Sequence, residues 1–277
     1  MERKAKRSAH TELFGSRELA RKTRCAVIVA HPDDEVIGAG GLISRLSDVT
    51  VLHVTDGVPN GHAGVGHLDR SETVRARRRE CREALAIANV APEHIVEFGV
   101  TSHQTPLKLA EVARRVASFL QATAPDVVLT HPYEGGHPDH DATAFATHAA
   151  IQLLRRNGFR PPSLFEIALH PARDGKGRVL DFLPSDAAEV TTLLLDKKAR
   201  DLKRQMFACF AAPPEVQREN TLGRERFRRP LRYNFAAPPN DGNLFYEKVA
   251  DVAGNVKWQS LVTEAWASLF PDEQTAH

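Results

Sequence analysis

Residues 25–35 read Cys25-Ala26-Val27-Ile28-Val29-Ala30-His31-Pro32-Asp33-Asp34-Glu35, and this stretch decides the fold. An unbroken apolar run of this length is a buried strand. A histidine and three carboxylates then crowd the point where the strand ends. So much negative charge beside an imidazole is costly unless a cation sits there, and a divalent metal is the simplest one. A second cluster of the same chemistry, His137-Pro138-Asp139-His140, lies far along the chain. Together they read as one metal site built from two distant loops.

Working outward, short apolar runs alternate with longer amphipathic ones. Strands are expected at about 25–30, 49–55, 94–98, 126–130 and 164–169, with helices at about 37–47, 71–88, 107–123 and 139–156. The period switches from two to 3.6 and back, which predicts βαβ units in an α/β fold, a mostly parallel sheet with helices on both faces. Both clusters then fall at carboxyl ends of strands, where open α/β sheets place their ligands. A glycine-rich loop over 57–70 follows the second strand and opens at the same edge. Beyond 170 the pattern loosens: 178–195 reads as one or two strands, 196–209 as a helix, and 211–243 is rich in proline and arginine.

Composition bounds the rest. The chain has 277 residues, 42% of them hydrophobic, enough for a sizeable core. Charged residues make up 26%, yet the net charge is only +2, so nothing calls for nucleic acid or a membrane surface as partner. Cys25, Cys81 and Cys209 are scattered without a CxxC, which argues against a disulfide framework and fits a reducing cytoplasm. No apolar stretch approaches the ~20 residues of a membrane span. Residues 1–24 are basic, lack the apolar segment of a secretory signal, and read as a surface-helical or partly disordered arm. Residues 25–277 read as a single domain, with its core at about 25–210 and a C-terminal elaboration at about 211–277. A homo-oligomer is left open.

Catalytic zinc takes three protein ligands and keeps one position for water. His31 and Asp34 are three apart across a strand-to-helix turn, and His137 and His140 share that spacing at another helix start. Spacing alone offers more candidates than are needed and does not select among them. Asp33, Asp34 and Glu35 also suit a first helical turn, where the helix dipole favours acids. The histidine before them and the second H-x-x-H outweigh that simpler account. His131, followed by Pro132, reads as a loop or structural histidine. Gly38-Ala39-Gly40-Gly41 resembles a phosphate-binding turn, but three acids precede it and would repel a pyrophosphate. Close packing of helix on sheet is the better account. Neither G-x-S-x-G nor H-x-H-x-D-H occurs, so a serine hydrolase and a two-metal hydrolase of that kind are unsupported.

Ala30-His31-Pro32-Asp33-Asp34-Glu35 and Gly136-His137-Pro138-Asp139-His140 resemble the two signatures of the PIG-L/LmbE-like zinc-dependent N-acetylglucosaminyl deacetylases. Thr55-Asp56-Gly57 is similar to the family's loop after its second strand, and Arg77 and Glu80 with Ala84-Leu85 to its R-x-x-E helix. The resemblance covers about residues 25–210 and implies a Rossmann-like α/β sandwich. It implies that His31, Asp34 and His140 hold the metal, that Asp33 is the general base, and that a protonated His137 stabilises the oxyanion or acts as acid. Asp139 would orient a neighbouring histidine, and Arg77 would bind substrate at the pocket mouth. The implied reaction removes an N-acyl group, acetyl foremost, from an N-acetylglucosamine-type sugar or glycoconjugate. Two histidines and one aspartate accept Zn2+, Fe2+ or Co2+, with zinc first. The competing readings are a non-catalytic sugar- or nucleotide-binding protein on the same scaffold and an amidase for a non-acetyl amide.

Two features depart from the family pattern. Many relatives carry an acid after the third strand, whereas residues 99–104 have none and His103 takes that place as a candidate substrate-binding residue. Glu134 adds a carboxylate beside the second signature, for contact with substrate or for an ion pair with a nearby arginine. The arginines at 218, 224, 226, 228, 229 and 232 read by default as a solvated basic surface.

Overall fold

A computed structural model describes residues 8–61, 69–169, 180–185, 187–211, 222–239, 242, 244–248 and 257–272. Part of the glycine-rich loop, at 62–68, and Arg218 lie outside them. After two short helices, α1 (Ala9–Phe14) and α2 (Arg17–Ala20), the order is β1 (Arg24–Val29), α3 (Asp34–Ile43), β2 (Asp48–Pro59), α4 (Arg70–Ile87), β3 (Ile95–Ser102), α5 (Leu109–Thr123), β4 (Val127–Thr130), α6 (Pro138–Arg156) and β5 (Ser163–Ile167). Then come β6 (Val190–Leu194), α7 (Lys197–Phe207), β7 (Arg224–Arg228) and α8 (Trp258–Leu269).

The seven strands form one sheet in the order β3-β2-β1-β4-β5-β7-β6. The first five are parallel, and β7 runs antiparallel to both β5 and β6. The sheet is therefore mostly parallel, as the periodicity predicts. From β1 the chain steps outward to β2 and β3, then returns to place β4 on the other side of β1. That reversal is a topological switch point, and the crevice beside it opens at the carboxyl ends of β1 and β4. His31 and His137 follow these two strands.

Strand alternation divides the core in two. Val27, Val29, Val51 and Leu129 face α3, α4 and α7, while Ala26, Ile28, Leu52 and Val128 face α5, α6 and α8. Leu13 and Ala20 from the two N-terminal helices are buried in the first layer. Helix α3 begins three residues earlier than the periodicity predicts, so that Asp34 and Glu35 sit in its first turn.

The small residues of α3 have a second purpose. Lys203 of α7 and Glu225 of β7, both fully buried, pair at 2.7 Å. Glu225 accepts from the Gly41 and Leu42 amides at 2.6 and 2.8 Å, and Lys203 donates to the Ile37 carbonyl at 2.8 Å. A Cβ on Gly41 would lie 2.6 Å from Leu195 and 3.1 Å from Glu225, so only glycine admits the pair. Glu225→Ala would leave an uncompensated buried ammonium and is expected to cost about 3–5 kcal/mol. Denaturant unfolding checks this, and a loss below about 1 kcal/mol would refute it.

Candidate active site

The loops after β1 and β4 bring His31, Asp34 and His140 together. His31 Nδ1 lies 3.2 Å from His140 Nε2 and 3.3 Å from Asp34 Oδ2, and His140 Nε2 lies 3.4 Å from Asp34 Oδ1. Ligands bonded at 2.0–2.1 Å around a tetrahedral ion stand about 3.3 Å apart, which is the spacing found here, with a different Asp34 oxygen nearest each imidazole. The electrostatics agree. Burial disfavours an imidazolium at His31, but Asp34 and Asp139 override it and raise the pKa to about 10. Burial likewise opposes charge on Asp34, but His140 and His31 outweigh it and hold the carboxyl well below its usual range. A pocket that retains a proton so firmly offers the same field to a metal ion, which would displace it.

Asp139 stands behind His31. It is completely buried and takes His31 Nε2 at 3.1 Å, which leaves Nδ1 of that ring as the lone pair turned to the cluster. The same carboxylate accepts from Ser102 Oγ at 3.0 Å and from the His103 amide at 2.7 Å. Burial would raise its pKa, but His31 first, then His137 and the His103 amide, bring it down. The family resemblance anticipates an orienting aspartate. Ser102 went unread in the sequence, where nothing distinguishes it from any serine at a strand end.

Asp33 is the N-cap residue of α3, yet its side chain makes no capping hydrogen bond. Its backbone takes φ 151°, ψ −26°, which L residues rarely adopt and which costs about 1–3 kcal/mol. The carboxylate is thereby left out of the cap, with Arg77 Nη1 at 3.7 Å. Burial first, then the charge of Asp34, raises its pKa to about 7, against the pull of Arg77 and His31. Arg77 reaches this position from α4 across Gly57, whose φ is +71° and where a Cβ would lie 3.0 Å from Pro32 and 3.3 Å from Arg77.

His137 caps α6, its Nδ1 accepting from the Asp139 amide at 3.2 Å. The neutral tautomer therefore carries its proton on Nε2. Burial, and then the charges of His31 and His140, keep its pKa well below the usual value. The sequence reading has a protonated His137; burial and the neighbouring imidazoles oppose that charge. One ring nitrogen each of His31, His137 and His140 falls within 4.8 Å of the others. His103, at φ 68°, sets its ring 5.2 Å from that of His137. His131 stacks on His140 with centroids 4.1 Å apart, but its Nε2 accepts from the Ala30 amide at 2.8 Å. Burial lowers its pKa to about 4, and its Nε2 also lies 3.4 Å from Asp34 Oδ2.

Glu134 turns away from the metal cluster. It meets Arg228 at 3.2 Å and accepts from the Leu183 amide at 2.9 Å, as its ion-pair reading expects. Arg228 is itself buried, pairs with Glu166 at 2.7 Å and lies over the Phe182 ring. Arg226 pairs with Asp181. The default of a solvated basic surface is thus corrected at Arg228, which is buried and paired, and at Arg226, which is half-buried and paired. The C-terminal segment braces the loop before His137: the Phe245 amide donates to the Gly135 carbonyl at 2.9 Å and Tyr246 to Asp141 at 3.0 Å. Asp141 also accepts from the amides of Glu134 and Gly135, both at 3.2 Å.

Comparison with known proteins finds similarity to one family of deacetylases. Residues 26–151 match the family model described as PIG-L: GlcNAc-PI de-N-acetylase. The diacetylchitobiose deacetylase of Thermococcus kodakarensis is 33% identical over 152 residues, 52% of this chain and 54% of that protein. A 1D-myo-inositol 2-acetamido-2-deoxy-alpha-D-glucopyranoside deacetylase of Rhodococcus erythropolis is 30% identical over 159 residues, 48% of this chain and 54% of that protein. The chain spans about half the length of these curated relatives. Among solved structures, the A40926 pseudoaglycone deacetylase has the same fold, with TM-score 0.57 and 22% identity over 76% of this chain and 98% of that one. The N,N'-diacetylchitobiose deacetylase of Pyrococcus horikoshii gives TM-score 0.53 and 18% identity over 97% of this chain and 86% of that one.

Proposed function

We propose that this chain, whose residues 26–151 match the PIG-L family model, is a metal-dependent hydrolase that removes an N-acyl group, acetyl foremost, from an N-acetylglucosamine-type sugar or glycoconjugate. The observation that carries the reading is the cluster of two imidazoles and one carboxylate with donors 3.2–3.4 Å apart, beside an aspartate left out of its own helix cap. The relatives named as acetamido-sugar deacetylases support the substrate class.

His31 Nδ1, Asp34 and His140 Nε2 would hold the ion, zinc first. Zinc bound there supplies Lewis acidity and lowers the pKa of an attacking water towards about 7. Asp33 takes the proton as the water oxygen bonds to the acyl carbon, and its pKa of about 7 suits that task. Charge then grows on the carbonyl oxygen, where the Nε2 proton of His137 is the donor to meet it. Breaking the C–N bond needs a proton on nitrogen, and Asp33 returns the one it took. The products are a carboxylate and a free amine. Asp139 keeps the His31 ring aimed throughout, and Arg77 at the mouth steadies Asp33 and meets the sugar.

Acetate release from N,N'-diacetylchitobiose and from inositol- and aryl-linked N-acetylglucosamine tests the reading, with and without chelator. Release that chelator stops and zinc restores is the expected result. No release from any of these amides, or release indifferent to chelator, would refute it.

A further inference from the structure

Glu35 is the one carboxylate of the opening run that the proposed chemistry does not use. It is fully buried, as are His53 and Cys81 beside it. His53 Nε2 lies 3.0 Å from Glu35 Oε2, Cys81 Sγ donates to Oε1 at 3.5 Å, and sulfur and imidazole are 3.7 Å apart. The three side chains come from α3, β2 and α4, and His53 sits in register with Val29 at the end of β1. Glu35 Oε2 also accepts from the Asp33 amide at 3.2 Å. The carboxylate bends back to the residue that opens its own helix and is pinned there by the sheet on one side and α4 on the other.

This contact falls where the backbone needs it. Asp33 holds a φ that L residues rarely adopt, and its side chain takes no part in the cap. The turn is gripped through the backbone instead. The Asp33 carbonyl accepts from the Val36 and Ile37 amides at 3.0 and 2.9 Å, and the Asp33 amide goes to Glu35. Without the second grip the peptide before Asp33 would be free to rotate and carry the carboxylate off its line.

We propose that Glu35, locked by His53 and Cys81, is the positioning residue that holds Asp33 in its strained conformation and so aims the base. The kinetic side of this inference rests on the hydrolase reading; the structural side does not.

The test compares zinc-loaded wild type with Glu35→Met, which keeps the volume and removes the acceptor, and Glu35→Gln, which keeps an acceptor. In Glu35→Met, kcat is expected to fall about 10- to 100-fold, the range for outer partners of a metal site, with KM within about twofold and zinc content unchanged. Glu35→Gln is expected to recover most of the loss. In an Asp33→Asn background Glu35→Met should cost nothing more, because a residue that acts through Asp33 has nothing left to aim. A merely structural role would lower both backgrounds alike. A crystal structure of Glu35→Met, or of Glu35→Gln if the former does not fold, reports φ at Asp33 directly. Relaxation to negative φ in Met and its retention in Gln are expected. Three results would overturn the proposal: unchanged φ in Met, relaxed φ in Gln, or multiplying losses in the double variant. Two ions per chain in wild type and one in Glu35→Met would overturn it in favour of a second metal site. A wild type that releases no acetate refutes the hydrolase reading alone, and the φ comparison still decides this one.

Discussion

Asp33→Asn is expected to lower kcat by about 10²–10⁴-fold, the usual worth of a positioned base, while the protein keeps its metal. Asparagine matches aspartate in size but cannot take a proton at neutral pH. The donors proposed to hold the ion are His31 Nδ1, Asp34 and His140 Nε2, so on that proposal Asp33 is not needed to hold it. The ion pair with Arg77 is long, at 3.7 Å, and partly exposed, and its loss costs little. Single-turnover kinetics with metal analysis on the same sample check the result. Full turnover in Asp33→Asn would remove it as the base, and loss of metal would move it among the ligands.

His140→Ala is expected to do the opposite: metal and activity go together. In the proposed set His140 Nε2 is the donor from α6 that completes the site across the crevice, and without it two of the three proposed ligands remain, His31 and Asp34. Catalytic zinc sites use three protein ligands. Dialysed His140→Ala should therefore hold far less than one ion per chain, and turnover should vanish. The His131 ring stacked behind His140 does not substitute, because its Nε2 accepts from the Ala30 amide. A variant that still holds stoichiometric zinc would refute His140 as a ligand.

Much of this was legible from residue order. The parallel core of the sheet follows from strands with apolar residues in both layers, and Val27 and Ile28 face opposite helices as period two requires. The position of both clusters at strand ends follows from where the apolar runs stop. Other features left no trace in the pattern. Strand β7 reads Arg224-Glu225-Arg226-Phe227-Arg228, a charged run that no hydropathy pattern marks as a buried strand. It is one because Lys203 meets Glu225, Asp181 meets Arg226, and Glu134 and Glu166 meet Arg228. His53 was a faint signal, a polar residue inside an apolar strand, but its partner Glu35 lies on another element.

The sequence by itself therefore determined the class of fold, the two clusters and their place at one sheet edge, since these depend on local periodicity and on where it breaks. Only the tertiary structure decided which oxygen or nitrogen of His31, Asp34 and His140 face one another, that Asp33 stays out of its own cap, that His137 Nδ1 accepts from the Asp139 amide, and that Glu134 meets an arginine. Each of these depends on the direction of a lone pair or a proton. That direction is set by a partner far along the chain, whose distance in space no linear spacing records.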